Sequence, residues 1–335
     1  MNGDRDQAPA LTVVVAAMAD AAVLETTLLH LRAQTIRAQL EIIVATPSVS
    51  DLGSLPINPV GFYDCRVLEV PAATTGAELN AAGTHAARAT VVAFAEDHAF
   101  ADRSWGEALL QRHQEEWAAV AGSMTNANPG TLTSWADFIT SYGAWLDPVA
   151  GGLRPFLPGH NCSYKRAALL SLGDELAELL ESETVLHYRL VAEGHHLYME
   201  PRARIAHTNF SRLSSSLRSQ FHSGRVYAGT LRSGWSRPRK VSYALASPLI
   251  PFVRFSRCFR QMRQPGRREV VPLSVLPVLA LTLLTDGVGQ ITAHVAGSGD
   301  SDAQLSALEF RRIDHLTSSD RRSLEALAAS RQAVR

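Results

Sequence analysis

The apolar run Val91-Val92-Ala93-Phe94-Ala95 leads straight into Glu96-Asp97-His98. Five apolar residues, two of them β-branched, predict a fully buried strand, and three potential metal or proton ligands follow it. In open α/β sheets ligands bind beyond the carboxyl ends of the strands. Carboxylates and an imidazole at that place suit a divalent cation and its phosphate partner. The same residues also suit a plain turn, with Glu96 and Asp97 capping the next helix.

The elements that would position this run alternate. Leu11–Ala16 reads as a buried strand, and Asp20 then caps a helix with Leu24, Leu28 and Leu31 on one face. Leu40–Ala45 is a second strand, stopped by Thr46-Pro47-Ser48. Val67–Val70 is a short strand, Glu78–Arg88 a helix, Trp105–Trp117 a helix, and Ala118–Gly122 a return to the sheet. Such alternation predicts an α/β fold with a Rossmann-like, mostly parallel sheet, and right-handed crossovers place the loops after Ala16, Ala45 and Ala95 on one edge. No GxGxxG or P-loop pattern occurs, so nicotinamide-cofactor and Walker-type readings lose their support. Beyond Ala121 the alternation stops. A helix with Trp135, Phe138, Tyr142 and Trp145 precedes the loop Phe156–Asn161, helices follow over about 165–180 and 181–192, and short extended pieces cover 197–201 and 203–207.

With 335 residues the chain can bury a substantial core. Cys65, Cys162 and Cys258 show no CxxC spacing, which argues against a disulfide framework or zinc knuckle and suits a reducing cytosol. The N-terminus has no signal-peptide pattern, and no stretch reaches ~20 uninterrupted apolar residues. The apolar run 270–285 is punctuated by Pro272 and Pro277. The net charge of zero conceals a split: 201–268 holds fifteen Lys/Arg and no Asp or Glu, leaving 17 basic against 32 acidic residues elsewhere. Two surfaces with different partners are implied.

The order of motifs resembles the family 2 glycosyltransferases, inverting enzymes with the A-type glycosyltransferase fold. LTVVVAAMAD resembles their first strand and nucleotide-binding turn, and VVAFAEDHAFADRSWGEAL their DxD strand and following helix. LPGHNCSYKRAAL resembles the Gly-x-Asn acceptor-side loop. ESETVLHYRLVAEGHHLYMEPRARIAH resembles the catalytic acidic pair, its helix, and the closing His. The resemblance runs from about Leu11 to Asn209 and more loosely to Gly297.

It implies a nucleotide-sugar donor, a divalent cation, and roles for named residues. Ala17, Asp20, Thr46, Glu96 and Asp97 fall on the donor side; His160, Asn161 and Trp105 fall on the acceptor and sugar side. His98 and His207 fall at cation-binding positions, with Asp97 as a substitute ligand, and Glu183 falls at the catalytic base. Glu96 and His98 replace both Asp positions of DxD. Imidazole suits Mn²⁺ better than Mg²⁺, which prefers oxygen ligands; alternatively, His98 bonds the phosphate directly without a cation. Ser182-Glu183 also fits an ordinary helix N-terminus. Thr46-Pro47 stands where the family often carries an acidic base reader, so UDP, GDP and dTDP sugars all stay open.

In the C-terminal part, arginines from Arg218 to Arg268 alternate with aromatic residues, and two apolar segments, 244–253 and 270–284, lie among them. Pro-broken apolar runs suit an anionic membrane surface better than a nucleic-acid groove, each basic residue near lipid being worth about 1 kcal/mol. Packing of both segments on the protein is the competing account. Residues 8–210 are thus expected to form the catalytic domain, 211–297 an interfacial helical region, and 298–335 a loose polar tail. The expected protein is cytoplasmic, peripheral on the cytosolic membrane face, and acts on a glycan or lipid-linked acceptor, with no nucleic-acid partner. Two further readings remain: a catalytically degenerate binding module and a nucleotidylyltransferase, although AAMADAA lacks the Gly-rich phosphate loop the latter needs.

Overall fold

A computed structural model of the chain describes residues 8–17, 21–52, 60–73, 75–159, 161–232 and 235–324. Its strands are β1 (Leu11–Ala16), β2 (Leu40–Thr46), β3 (Asp64–Glu69), β4 (Val91–Glu96), β5 (Ala99–Ala101), β6 (Trp117–Asn126), β7 (Gly152–Arg154), β8 (Cys162–Lys165) and β9 (His196–His207). The longer helices are α1 (Ala21–Arg32), α2 (Gly76–Ala86), α3 (Trp105–His113), α4 (Leu132–Tyr142), α5 (Arg166–Leu170), α6 (Leu176–Leu180), α7 (Glu183–Ala192), α8 (Leu213–Leu231), α9 (Arg237–Ala246), α10 (Ile250–Met262), α11 (Leu276–Ala296) and α12 (Ser301–Phe310).

The strands form one mixed sheet in the order β3-β2-β1-β4-β8-β6-β9-β5, with β7 on β9. Its first four strands are parallel, and β8 then runs antiparallel to both β4 and β6. β1, β2 and β4 are nearly continuous runs of buried apolar residues, as expected of strands covered on both faces. Register places Ala16 beside both Ala45 and Glu96, so these strands end level. The α/β Rossmann-like architecture is the expected one. Three local features differ. Segment 165–180 breaks into α5, a 3₁₀ turn and α6 at Gly173, whose φ of +56° is left-handed. β9 is one strand through Pro201, and Trp117 begins β6 instead of ending α3.

By contact the chain divides into two units, Met1–Ser123 with Val149–Ala206, and Met124–Pro148 with His207–Arg335. The cut passes along the chain through β6 and β9. The first unit contains the sheet. In the second, α11 packs along α8 and on α4, which explains why 124–148 group with the C-terminal part and not with 8–210. α11 is one helix of 21 residues: Pro277 sits in its first turn, where the missing N–H costs nothing. Leu273–Ala296 is thus long and apolar enough to cross a membrane by length and composition alone. The polar tail is docked up to Leu324. α12 packs on α8, and buried Arg312 meets buried Asp137 at 3.6 Å. Asp137 also accepts from Ser216 Oγ, Gln220 Nε2 and the Phe210 amide.

The amino-terminal end of the sheet is closed by a buried carboxylate. Glu41 on β2 accepts from Thr12 Oγ1 on β1, from Arg66 on β3, and from both the amide and Nε of Arg88. Burial raises its pKa, but the bonds from Thr12, Arg66 and Arg88 outweigh this and hold it below the ordinary carboxylate value. Stability from a depressed acid is present above its unfolded pKa and is lost as pH falls through its folded one. Glu41→Gln should therefore cost about 2–4 kcal/mol in urea unfolding at pH 7, and the deficit should shrink steadily below about pH 4. An equal deficit at pH 7 and pH 3 would show that the charge contributes nothing.

Candidate functional site

Level strand ends bring Ala17, Thr46 and Glu96 to one edge. Ala17 is buried and its amide donates to Ala45 O at 2.9 Å. Thr46 is buried, and its hydroxyl is spent within its own turn: it donates to Ser48 O and accepts from Ser48 N. Asp20 and His160 lie outside the described residues. Trp105, expected on the acceptor and sugar side, is buried in the core at 0% exposure.

The turn after β4 is anchored by α1. Thr27 Oγ1 donates to Asp97 O, His30 Nδ1 lies 3.2 Å from Ala101 O, and Gln34 Nε2 donates to Asp102 O at 2.7 Å. Thr27 and His30 lie on one face of α1 and Gln34 follows just beyond its end, so the helix and its exit together grip 97–102. Reading only the leucines of α1 misses these residues, although their spacing is visible in the sequence.

Within the turn the three ligand-type residues divide their roles. His98 Nδ1 lies 2.8 Å from Asp97 Oδ1, and both side chains are buried. A neutral imidazole that donates from Nδ1 to a carboxylate keeps its Nε2 lone pair for a ligand. His98 Nε2 stands 3.6 Å from Glu96 Oε1. His207, the last residue of β9, repeats the pattern: its Nδ1 lies 2.9 Å from Asn209 Oδ1. Asn209 is oriented for that contact because its Nδ2 donates to Asn126 Oδ1 and His207 O. The His207 Nε2 is 3.3 Å from the Tyr142 hydroxyl. One ligand atom each from Glu96, His98 and His207 lie within 4.8 Å of one another. The carboxylate within this cluster is that of Glu96, and Asp97 Oδ1 lies against His98 Nδ1.

Two imidazoles and a carboxylate could hold a divalent cation. A second observation suits an occupied site. Asn161 is buried and donates from Nδ2 to Glu96 Oε2 at 3.2 Å, while its Oδ1 is buried with no hydrogen-bond partner among the described residues. A buried acceptor left open is costly unless a ligand satisfies it.

Glu183 joins the same neighbourhood through the loop that carries Asn161. A Cβ built on Gly159 would lie 2.4 Å from Glu183 Cβ and 2.5 Å from its Cδ, so the loop backbone lies directly against this side chain. Gly159 and Asn161 are two residues apart, which bounds their Cα separation at about 7 Å. Glu183 is buried in the first turn of α7, and Ser182 holds the N-cap position but makes no side-chain cap bond. The neighbouring Glu181 is already committed, its Oε1 accepting from Thr75 Oγ1 at 2.6 Å. α7 is held in turn by His187, which accepts the Leu157 amide at Nδ1 and meets the Tyr164 hydroxyl at 2.9 Å through Nε2. Burial pushes the His187 imidazole down to about 3, so it stays neutral.

No family model and no curated protein sequence matches the chain. Solved structures similar to it include the mannosyltransferase PcManGT from Pyrobaculum calidifontis in complex with GDP-Man and Mn²⁺, at 16% identity and TM-score 0.47, covering 98% of this chain and 87% of that one. GalNAc-T7 with UDP, GalNAc and Mn²⁺ is similar at 13% identity and TM-score 0.48, covering 59% and 43%. S. aureus TarS is similar at 13% identity and TM-score 0.44, covering 85% and 55%. The chain spans about half the length of the latter two. At these identities and scores the likenesses assign no activity to this chain.

The geometry makes a prediction for metal binding. Titrated with Mn²⁺, the protein should bind one ion; His98→Ala and His207→Ala should each weaken binding at least about tenfold, and Asp97→Asn by about 10–100-fold through the orientation of His98. Unchanged affinity in both histidine variants would remove the cluster from consideration.

Proposed function

We propose that the chain is a metal-assisted, inverting glycosyltransferase that moves a sugar from a nucleoside-diphosphate donor to an acceptor hydroxyl. The observation that carries this reading is the Glu96–His98–His207 cluster, tied by Asn161 to the loop that packs on Glu183. A cation held there would supply positive charge against the diphosphate as the leaving group departs. With one carboxylate among its three ligands, the site leaves more of that charge uncancelled than a pair of aspartates would. Mn²⁺ is favoured over Mg²⁺ on the imidazole count.

The chain's own groups have distinct tasks. A Glu183 carboxylate oxygen takes the proton of the acceptor hydroxyl as its oxygen attacks the anomeric carbon on the face opposite the leaving diphosphate. Glu181 instead accepts the Thr75 hydroxyl through Oε1. Asn161 presents Oδ1 to a donor or acceptor hydroxyl, and its Nδ2 keeps Glu96 in place. The donor enters along the edge formed by the ends of β1, β2 and β4, beyond Ala17, Thr46 and Glu96. The acceptor is a membrane-proximal or lipid-linked glycan, and the enzyme works in the cytoplasm at the cytosolic face. The basic, aromatic-rich sequence of 201–268 supports this placement, and the Pro-broken apolar runs 244–253 and 270–284 argue against nucleic acid as the partner.

Incubated with Mn²⁺ and a panel of UDP, GDP and dTDP sugars, the purified protein should release nucleoside diphosphate from one class. Glu183→Gln should lower turnover by about 10²–10⁴-fold while donor affinity is retained. Gly159→Ala, which forces Glu183 aside, should depress kcat with little change in donor KM. Failure of every donor to bind or be cleaved ends the enzymatic reading, and equal loss of donor affinity in Glu183→Gln would make Glu183 structural.

A further inference from the structure

The second unit presents apolar residues outward where a helical bundle ordinarily presents polar ones. On α11 the inward face, including Leu279, Leu283 and Ala293, is buried, while Leu281, Leu284, Val288 and Val295 are exposed, Val295 by 83%. Their spacing of three, four and seven residues makes one stripe along the helix. On α10, Pro251, Cys258 and Met262 are buried, while Phe252 and Phe259, seven residues apart, are exposed, Phe252 by 69%, with half-buried Phe255 between them. Arg263 follows on the same face of α10, and Arg257 and Arg260 flank it; all three are exposed. Other arginines of this region are used internally: Arg254 pairs with Asp286, and Arg267 donates to Pro148 O and Gly143 O. Arg257, Arg263 and Arg268 make no ion pair among the described residues.

We infer that the outer faces of α10 and α11 are a docking surface for an anionic lipid bilayer, and that α11 lies in the interface instead of crossing it. Charge complementarity names the occupant. Phenylalanines beside arginines, with no acidic residue between 201 and 268, match an acyl boundary beneath phosphate headgroups. The inner face of α11 decides against crossing. Its Asp286 and Gln290 are buried and bonded to each other, and Asp286 holds Arg254. A Cβ on Gly224 of α8 would lie 2.2 Å from Asp286 O, so the two helix backbones are in contact. Crossing as a separate helix would strip these contacts and place a carboxylate in hydrocarbon, which the bilayer strongly disfavours.

This surface deepens the membrane-proximal part of the proposed function, and its test is separate from donor chemistry. The full chain should float with phosphatidylcholine vesicles containing phosphatidylglycerol, bind pure phosphatidylcholine weakly, and be released by alkaline carbonate. The double variant Phe252→Ser/Phe259→Ser, altered only at exposed positions, should lose at least about tenfold in vesicle affinity with its circular dichroism and its donor cleavage in solution unchanged. Arg257→Gln/Arg260→Gln/Arg263→Gln should abolish the preference for anionic lipid. Retention after carbonate treatment would overturn the interfacial placement. Undiminished binding by the phenylalanine variant, or a wild-type dimer that this variant dissolves without any vesicle binding, would overturn the bilayer as occupant.

Discussion

A helix holds the turn on which the site depends. Thr27 of α1 donates to the carbonyl of Asp97, and His30 and Gln34 continue the grip along β5. With 97–102 fixed in this way, Asp97 and His98 emerge beyond β4 in a set conformation, and the Asp97–His98 hydrogen bond selects which imidazole nitrogen faces outward. The parallel register of β1, β2 and β4 then places that imidazole at the edge where three strands end together. Loss of the α1 anchor would leave the ligand residues on an unsupported turn, with Glu96 alone still set by its strand.

The same device appears at the other imidazole. His207 closes β9, and its orientation is set by Asn209, which is held by Asn126 and Asn128 through three further hydrogen bonds. Each histidine thus has Nδ1 at hydrogen-bond distance from a nearby side-chain oxygen, and His207 Nε2 also lies 3.3 Å from the Tyr142 hydroxyl. Such outer contacts cost polar side chains their freedom, and they are hard to account for unless ring orientation matters. Glu183 is placed differently, by the close approach of Gly159 and by α7, which the neutral His187 ties to Leu157 and Tyr164.

Much of this was legible before any coordinates. β1, β2 and β4 read correctly to within a residue because strands buried on both faces are continuous apolar runs, and their order predicted the common edge. Glu96, Asp97, His98, Asn161, His207 and Glu183 were all named from motif order. What could not be read was their division of labour. Whether Asp97 or Glu96 meets a cation depends on side-chain direction at a turn, and strand alternation alone does not settle that. Trp105 is named through the motif resemblance alone, and its burial in the core is not visible in the local pattern. Pro277 misled because proline removes a backbone donor that the first turn of a helix does not need, whereas Pro201 lies within β9 without ending it. The long-range polar contacts of Asn126, Asn128 and Asn209 join residues some eighty positions apart, beyond any local pattern.

The central claim is that one cation is held by Glu96, His98 and His207 against a diphosphate. The most direct test is the anomalous difference density of crystals grown with Mn²⁺ and a nucleoside diphosphate. A single strong peak is expected, enclosed by the imidazoles of both histidines and the Glu96 carboxylate, with diphosphate oxygens completing its coordination. A manganese peak elsewhere, or a diphosphate bound away from these three residues, would contradict it.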